Sequence, residues 1–183
     1  MRFAYRNAHY QTGLNNSLDE AIQGAAQKAG LDISAEKKVD EIPYDFVRKC
    51  LSVVTANAKG EHNLITKGAL DKVLSLCTSL QSGDGAHPLD AAARAEIDTR
   101  YSEWSEKGFR VLGLATKTVD GKTEAYSHAD EKALTFAGFL LFFDPPKADV
   151  QQVIVDLAKR GVQLKIITGD NQKVARHVAE AVK

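Results

Sequence analysis

The chain is poor in cysteine, proline and tryptophan, with two, four and one of these, and it has no surplus of either charge, 24 Lys+Arg standing against 24 Asp+Glu. Each scarcity excludes something. Without net positive charge there is no global basic field to hold a nucleic-acid backbone or an anionic membrane surface, which argues against nucleic acid as a partner. Cys50 and Cys77 show no metal-site spacing and sit in apolar surroundings. They read as small buried hydrophobes of a reducing compartment rather than a disulfide framework. The longest mostly apolar run, residues 136–143, falls well short of the roughly 18 to 20 residues that cross a bilayer. Met1-Arg2-Phe3-Ala4-Tyr5-Arg6 lacks the apolar core of a signal peptide. These absences predict a cytosolic, soluble chain with no direct membrane contact. The five histidines are scattered without metal-ligand spacing, and neither a Gly-x-Ser-x-Gly elbow nor a P-loop is present.

What is there is the composition of a folded protein. The 183 residues are 44% apolar and 26% charged, a length for one domain plus a piece of another. Leu18, Ala21, Ile22, Ala25 and Ala29 share one face and predict a first helix over 17–29, capped by Asn15 or Asn16 and ended by Gly30. Short β-branched runs at 39–42, 51–55 and 62–66 predict strands, the last two joined as an antiparallel hairpin through 57–60. Helical periodicity predicts helices over 69–80 and 89–107, with 82–88 as a loop between them and 109–116 as a strand. The final third changes character. Residues 139–143 and 162–167 are apolar on both faces, as strands covered on both sides are. With a helix face at Val150, Val153, Ile154 and Leu157 between them, they predict a parallel β-α-β unit, and a last helix over 171–182. The expected fold class is therefore α+β: an antiparallel sheet flanked by helices over residues 1–140, then a partial parallel α/β unit over 141–183.

Four stretches could carry chemistry, and each has a plainer reading. Lys67-Gly68-Ala69 lies between a strand and a helix start, where glycine admits a ligand to the backbone and lysine offers a point charge to phosphate; it could equally be a turn. Phe46 beside Arg48 and Lys49 could stack a base and meet phosphate, or be a core aromatic beside solvated cations. Arg110 interrupts an apolar strand that also includes Leu112, and alternation would let it face solvent. Thr168-Gly169-Asp170 follows a predicted parallel strand and precedes a helix, a place for phosphate and metal ions or for an N-cap aspartate.

Their order along the chain is more specific than any one of them. Asp40-Glu41-Ile42-Pro43-Tyr44-Asp45-Phe46, Arg48-Lys49-Cys50-Leu51-Ser52-Val53-Val54, Lys67-Gly68-Ala69, Gly108-Phe109-Arg110-Val111-Leu112, Asp144-Pro145-Pro146-Lys147 and Thr168-Gly169-Asp170-Asn171 follow one another in that sequence. So ordered, the chain resembles the nucleotide-binding domain of P-type ATPases, running into part of their haloacid-dehalogenase-like phosphorylation domain. Tyr10-Gln11-Thr12-Gly13-Leu14 and Asp40-Glu41-Ile42-Pro43 look most like the bacterial magnesium-importing branch. The resemblance implies ATP, taken as Mg-ATP, or ADP in a pocket where Phe46 stacks on adenine, Lys49, Lys67 and Gly68 line the nucleotide, and Arg110 with Leu112 reaches the ribose or phosphates. Asp144, Pro145, Pro146 and Lys147 become the hinge between the two domains, and Thr168 and Asp170 part of the phosphoryl-transfer site. Many members place a Thr-Glu pair at the start of the first helix, the glutamate on adenine; Leu14-Asn15-Asn16 stands there, leaving Asn15 to offer an amide. The implied partners are the remaining domains of a parent pump at the cytoplasmic side of the plasma membrane.

The family's phosphorylated Asp-Lys-Thr-Gly-Thr loop does not occur in the sequence, and Asp71-Lys72 lies inside a predicted helix. The expectation is thus a chain that binds nucleotide without turning it over. Two other readings compete: a non-catalytic interaction or regulatory module of pump-like fold, and a small phosphatase of the haloacid-dehalogenase type, which lacks its Asp-x-Asp nucleophile.

Overall fold

A computed structural model describes residues 1–13, 16–121, 125–168 and 171–182. The chain begins with a helix that periodicity did not announce, α1 (Arg2–Tyr10). Its buried side chains are Ala4, Tyr5, Arg6, Asn7 and Ala8, so two polar residues break the apolar stripe on the face turned inward. Both find partners distant in sequence: Arg6 pairs with Glu36, and Asn7 Nδ2 donates to the Ile65 carbonyl at 2.9 Å, while Arg6 Nε and Asn7 Oδ1 stay buried without a bond. Helix α2 (Ser17–Lys28) is capped by Asn16, whose side chain accepts from Asp19 N at 3.0 Å, and the chain leaves it through Gly30 at φ 65°.

A seven-stranded sheet follows in the order β1-β2-β3-β6-β7-β4-β5. Its strands are β1 (Lys37–Asp45), β2 (Cys50–Ala56), β3 (His62–Ala69), β4 (Cys77–Ser82), β5 (Gly85–Pro88), β6 (Arg110–Val119) and β7 (Leu134–Phe142). β1 runs on through Pro43, which an edge strand tolerates, and the β1–β2 register shifts once between Lys38 and Asp40 and again between Ile42 and Asp45. β1, β2, β3 and β6 pair antiparallel in series, as do β4 and β5, but β4 and β7 pair parallel. The sheet is therefore mixed rather than wholly antiparallel. Helix α3 (Leu70–Ser75) is shorter than the predicted 69–80, since the chain tightens at Leu76 and enters β4. Cys77 and Leu80 fit a period of 3.6 as well as a strand. The region 82–88, expected as a loop, closes a two-residue hairpin at Gly83-Asp84 with Ser82 opposite Gly85. Cys50 is buried, as expected, whereas Cys77 is only half-buried.

The chain divides into two compact units, Met1–Asp90 with Leu112–Leu140, and Ala91–Val111 with Leu141–Lys183. In the first, the interior lies on β2 and β3: Val53, Val54, Leu64 and Ile65 are fully buried together with Val73 of α3. In the second, α4 (Ala91–Glu106) ends at Gly108, φ 83°, with Phe109 N donating to the Trp104 carbonyl at 3.0 Å. Helices α5 (Val150–Lys159) and α6 (Gln172–Ala181) match the predicted 150–157 and 171–182. Asn171 caps α6 and reaches Tyr101 Oη at 2.8 Å and Ser105 Oγ at 3.1 Å on α4, while Lys173 bonds Glu106 at 2.7 Å. The predicted strand at 162–167 is not formed: residues 162–168 carry no ladder, and so the parallel β-α-β unit is absent among the described residues. A doubly apolar run supplies side chains for a strand, but a strand also needs a neighbour's backbone groups to bond.

Candidate functional site

The turn joining β1 to β2 is held by its own hydrogen bonds. Asp45 Oδ1 accepts from Val47 N at 2.8 Å and from Arg48 N at 2.7 Å, and Lys49 N donates to the Asp45 carbonyl at 2.6 Å. The Arg48 amide first, with slight desolvation opposing it, and then the Val47 amide hold the Asp45 carboxyl below the ordinary carboxylate range. Lys49 takes φ 52°, a left-handed conformation that is costly for a side-chain-bearing residue. So wound, the turn leaves Phe46 85% exposed, with the Tyr44 ring edge-on to it at 5.4 Å between centroids.

The same end of the sheet gathers three more predicted residues. Ala69 N donates to the Lys49 carbonyl at 2.9 Å, and Gly68 pairs with Cys50 across the β2–β3 ladder. A Cβ on Gly68 would collide with Cys50 and with the Lys49 carbonyl, so this glycine is required by the close approach of the 49–50 backbone. Leu112, half-buried, pairs with Ala69 on the other side. Lys67 is not a free surface cation. Only 5% exposed, it forms an ion pair with Asp19 of α2, while Asp19 Oδ2 accepts from Asn16 Nδ2 at 2.7 Å. Burial pushes the Lys67 ammonium below its ordinary range, and the bond and charge of Asp19 oppose that shift.

Phe46, Lys49, Lys67, Gly68 and Leu112 thus lie in the first unit around one end of β2, β3 and β6. Arg110 is exposed as the first residue of β6 and belongs to the second unit. Asp144, Pro145, Pro146 and Lys147 form an exposed connection between β7 and α5, and Thr168 is exposed outside any element. Asn15 and Asp170 lie outside the described residues. A groove of about 470 Å³ on the second unit is lined by Ile166, Thr168, Gln172 and Arg176 among others. Another of about 330 Å³ on the first is lined by Glu41, Ile42, Pro43 and Tyr126 to Ala129. Neither includes Phe46, Lys49 or Lys67. Glu41 also ties two of the quoted motifs together, its carboxylate accepting from Thr12 N at 2.9 Å and Thr12 Oγ1 at 2.8 Å.

Two acidic residues of this region escaped sequence reading. Asp19, in the first turn of α2, looks like an ordinary helix-dipole carboxylate, and nothing local signals a partner 48 positions away. Glu131, 3% exposed, pairs with Arg48 and accepts from Ser52 Oγ at 2.6 Å. Burial, then the Glu131 charge, push the Cys50 thiol up to about 11. Among the described residues no group of three or more His, Cys, Asp or Glu is placed to hold a metal ion, and no helix is long and apolar enough to cross a membrane.

The family model described as P-type ATPase, cytoplasmic domain N, matches residues 3–149. The chain belongs to the P-type ATPase family. It is 36% identical over 181 residues, 98% of its length, to the magnesium-transporting ATPase, P-type 1, of Escherichia coli strain K12 and to its namesake in Salmonella typhimurium strain LT2. It is 33% identical over 159 residues, 78% of the chain, to calcium-transporting ATPase 2, endoplasmic reticulum-type, of Arabidopsis thaliana. The chain spans about one fifth of the length of the magnesium-transporting relatives and 15% of the calcium-transporting one.

Proposed function

We propose that the chain is the ATP-binding cytoplasmic piece of a magnesium-transporting P-type ATPase. The observation that carries this reading is the Phe46 platform, an aromatic face held 85% exposed by a hydrogen-bonded turn that includes Lys49, whose carbonyl packs against Gly68 at the end of β3. An exposed ring on an ordered turn is suited to stack an adenine, and the neighbouring ammonium to meet phosphate. The buried ion pair adds a feature that the motif alone did not suggest. Any phosphate oxygen that recruits Lys67 must compete with Asp19, in the first turn of α2, for the ammonium. Arg110 and Leu112 complete the nucleotide set, with Asn15 as a further amide. The residues from Asp144 to Lys147 act as the hinge to the next domain, residues 141–183 as its first portion, and Thr168 and Asp170 as part of its phosphoryl-transfer site. The other domains of the pump are the partners. Without an in-line acceptor aspartate the chain binds Mg-ATP and does not turn it over.

Titration with ATP, ADP and adenosine, followed by backbone amide shifts, tests the reading. Stacking on one ring with screened cationic contacts predicts affinities on the order of 0.1 to a few millimolar. Phe46→Ala should weaken adenosine itself, and Lys49→Ala should mainly affect the phosphate-bearing ligands. Unchanged nucleotide-induced shifts in both variants would return the chain to the class of non-catalytic interaction modules. Incubation with γ-labelled ATP should leave no covalent label on any aspartate.

A further inference from the structure

The Phe46 turn is held from beneath by a buried carboxylate that no motif singled out. Glu131 follows a single 3-10 turn, His128–Asp130, closed by a capping box in which Ser127 N donates to Asp130 Oδ2 at 2.8 Å. The carbonyl of Lys132 accepts from Lys117 Nζ at 3.0 Å, and Leu134 N donates to the Leu76 carbonyl at 2.9 Å. The segment carrying Glu131 is therefore fastened on both sides. One carboxylate oxygen accepts from Ser52 Oγ, itself 2.7 Å from Thr66 Oγ1, and the other meets the Arg48 guanidinium. Arg48 in turn donates from its second terminal nitrogen to the Pro43 carbonyl at 2.9 Å. This planar fork bridges the Glu131 carboxylate and the Pro43 carbonyl, and Phe46 lies between Pro43 and Arg48 in sequence.

The backbone records the same connection. Among the described residues, the two non-glycine positions with positive φ are Lys49, next to Arg48, and Ala133, two residues after Glu131, at 52° and 53°. The backbone close to each partner of the ion pair thus holds a left-handed conformation, which persists only where the surroundings enforce it. Burying two charges is often no better than apolar packing, so stability alone is a weak reason for this pair.

We infer that Glu131 is a positioning residue for nucleotide binding, holding Arg48 as a strut to Pro43 so that the Phe46 ring is set in its stacking orientation before ligand arrives. The inference rests on the reading of Phe46 as the adenine platform. Preorganisation of this kind adds to affinity without touching the ligand.

A double-mutant cycle on the full chain tests it, with adenosine and ATP titrated by amide shifts and thermal unfolding followed in parallel. Glu131→Gln keeps the shape and the Ser52 bond but removes the charge that grips Arg48. It is expected to weaken adenosine and ATP by the same factor, about fivefold, a portion of what one stacked base contributes. It is expected to add nothing once Phe46→Ala is present, because the strut then has no ring to orient. Arg48→Lys keeps the charge but loses the fork to Pro43, and should behave likewise even if Glu131→Gln fails to fold. Adenosine affinity equal to the wild type in either folded variant, whatever the change in melting temperature, overturns the positioning role, as does an effect that persists undiminished in the Phe46→Ala background. A wild-type chain that gives no adenosine shifts, or a Phe46→Ala variant that binds unchanged, sinks instead the platform reading, and this inference with it.

Discussion

The two units spend their apolar residues differently. The largest fully buried side chains, among them Leu64, Ile65, Leu74, Leu134, Val53 and Val54, all lie in the unit of Met1–Asp90 and Leu112–Leu140. In the other unit, among the described residues, Ile97, Ser105, Val111 and Val182 have buried side chains, whereas Val162, Leu164, Ile166 and Ile167 are about half exposed or more, Ile167 at 97%. Both regions have apolar runs of comparable quality in sequence. What separates them is backbone partnership: β2 sits between two neighbours and hydrogen-bonds to both, and residues 162–168 have no ladder at all. Apolarity marks a segment as able to be covered; a packed core requires the covering elements as well.

The contrast makes its largest prediction at the core. Leu64→Ala or Leu134→Ala should cost about 3 to 5 kcal/mol in urea unfolding, since fully buried leucines leave cavities. Leu164→Ala or Ile166→Ala should stay within about 0.5 kcal/mol, as exposed substitutions do. Amide exchange should be faster after Asp144 than along β2 and β3. Equal costs in the two regions, or slow uniform exchange over 144–182 in a proven monomer, would break the comparison.

A similar loss is expected from Asp19→Ala, which strands the Lys67 ammonium in a site where the pair's side chains are 3% and 6% exposed. Removing one partner of a buried pair costs roughly 3 kcal/mol or more, and Asp19→Ala with Lys67→Met should recover most of it. Chemical unfolding of the three variants measures the coupling. Gly108→Ala should cost about 1 kcal/mol or more, because its φ of 83° is left-handed and the new methyl would meet the His177 ring. Its signature is local, seen as exchange at the end of α4 and in α6 with β2 and β3 unchanged; a global loss of protection would contradict the separation of the units.

The smallest effect concerns acid. The Asp45 carboxyl lies below its ordinary value, so the folded turn favours the ionised form. Its contribution is present above an unfolded pKa of about 3.9 and is lost as pH falls through the lower folded value. The Val47 and Arg48 amide resonances should therefore titrate with a midpoint below about 3.9, and the transition should vanish in Asp45→Asn.

The sequence made α2, the β2–β3 hairpin, α4, α5 and α6 readable because each carries its own period and its own stop signal, such as Gly30 or Gly108. α1 stayed hidden because Arg6 and Asn7 face inward and find partners 30 and 58 positions on. The β4–β5 hairpin was hidden by a helix-like spacing of Val73, Leu74, Cys77 and Leu80, although Gly83-Asp84 was a legible two-residue turn. At the candidate site, Phe46, Lys49, Lys67 and Gly68 could be named from local pattern. Asp19 and Glu131 could not, because their meaning resides in the ion pairs they form with Lys67 and Arg48 across the fold.

Pro43 in β1 and Pro88 in β5 place half of the chain's four prolines on the two outermost strands of the sheet. A proline has no N–H to offer a foreign strand, and the register shift across Pro43, with another between Lys38 and Asp40, makes that rim a less regular template. The sheet is therefore poorly suited to grow by adding another molecule's strand at either border, so crowding many copies together should not by itself seed fibrils along these edges.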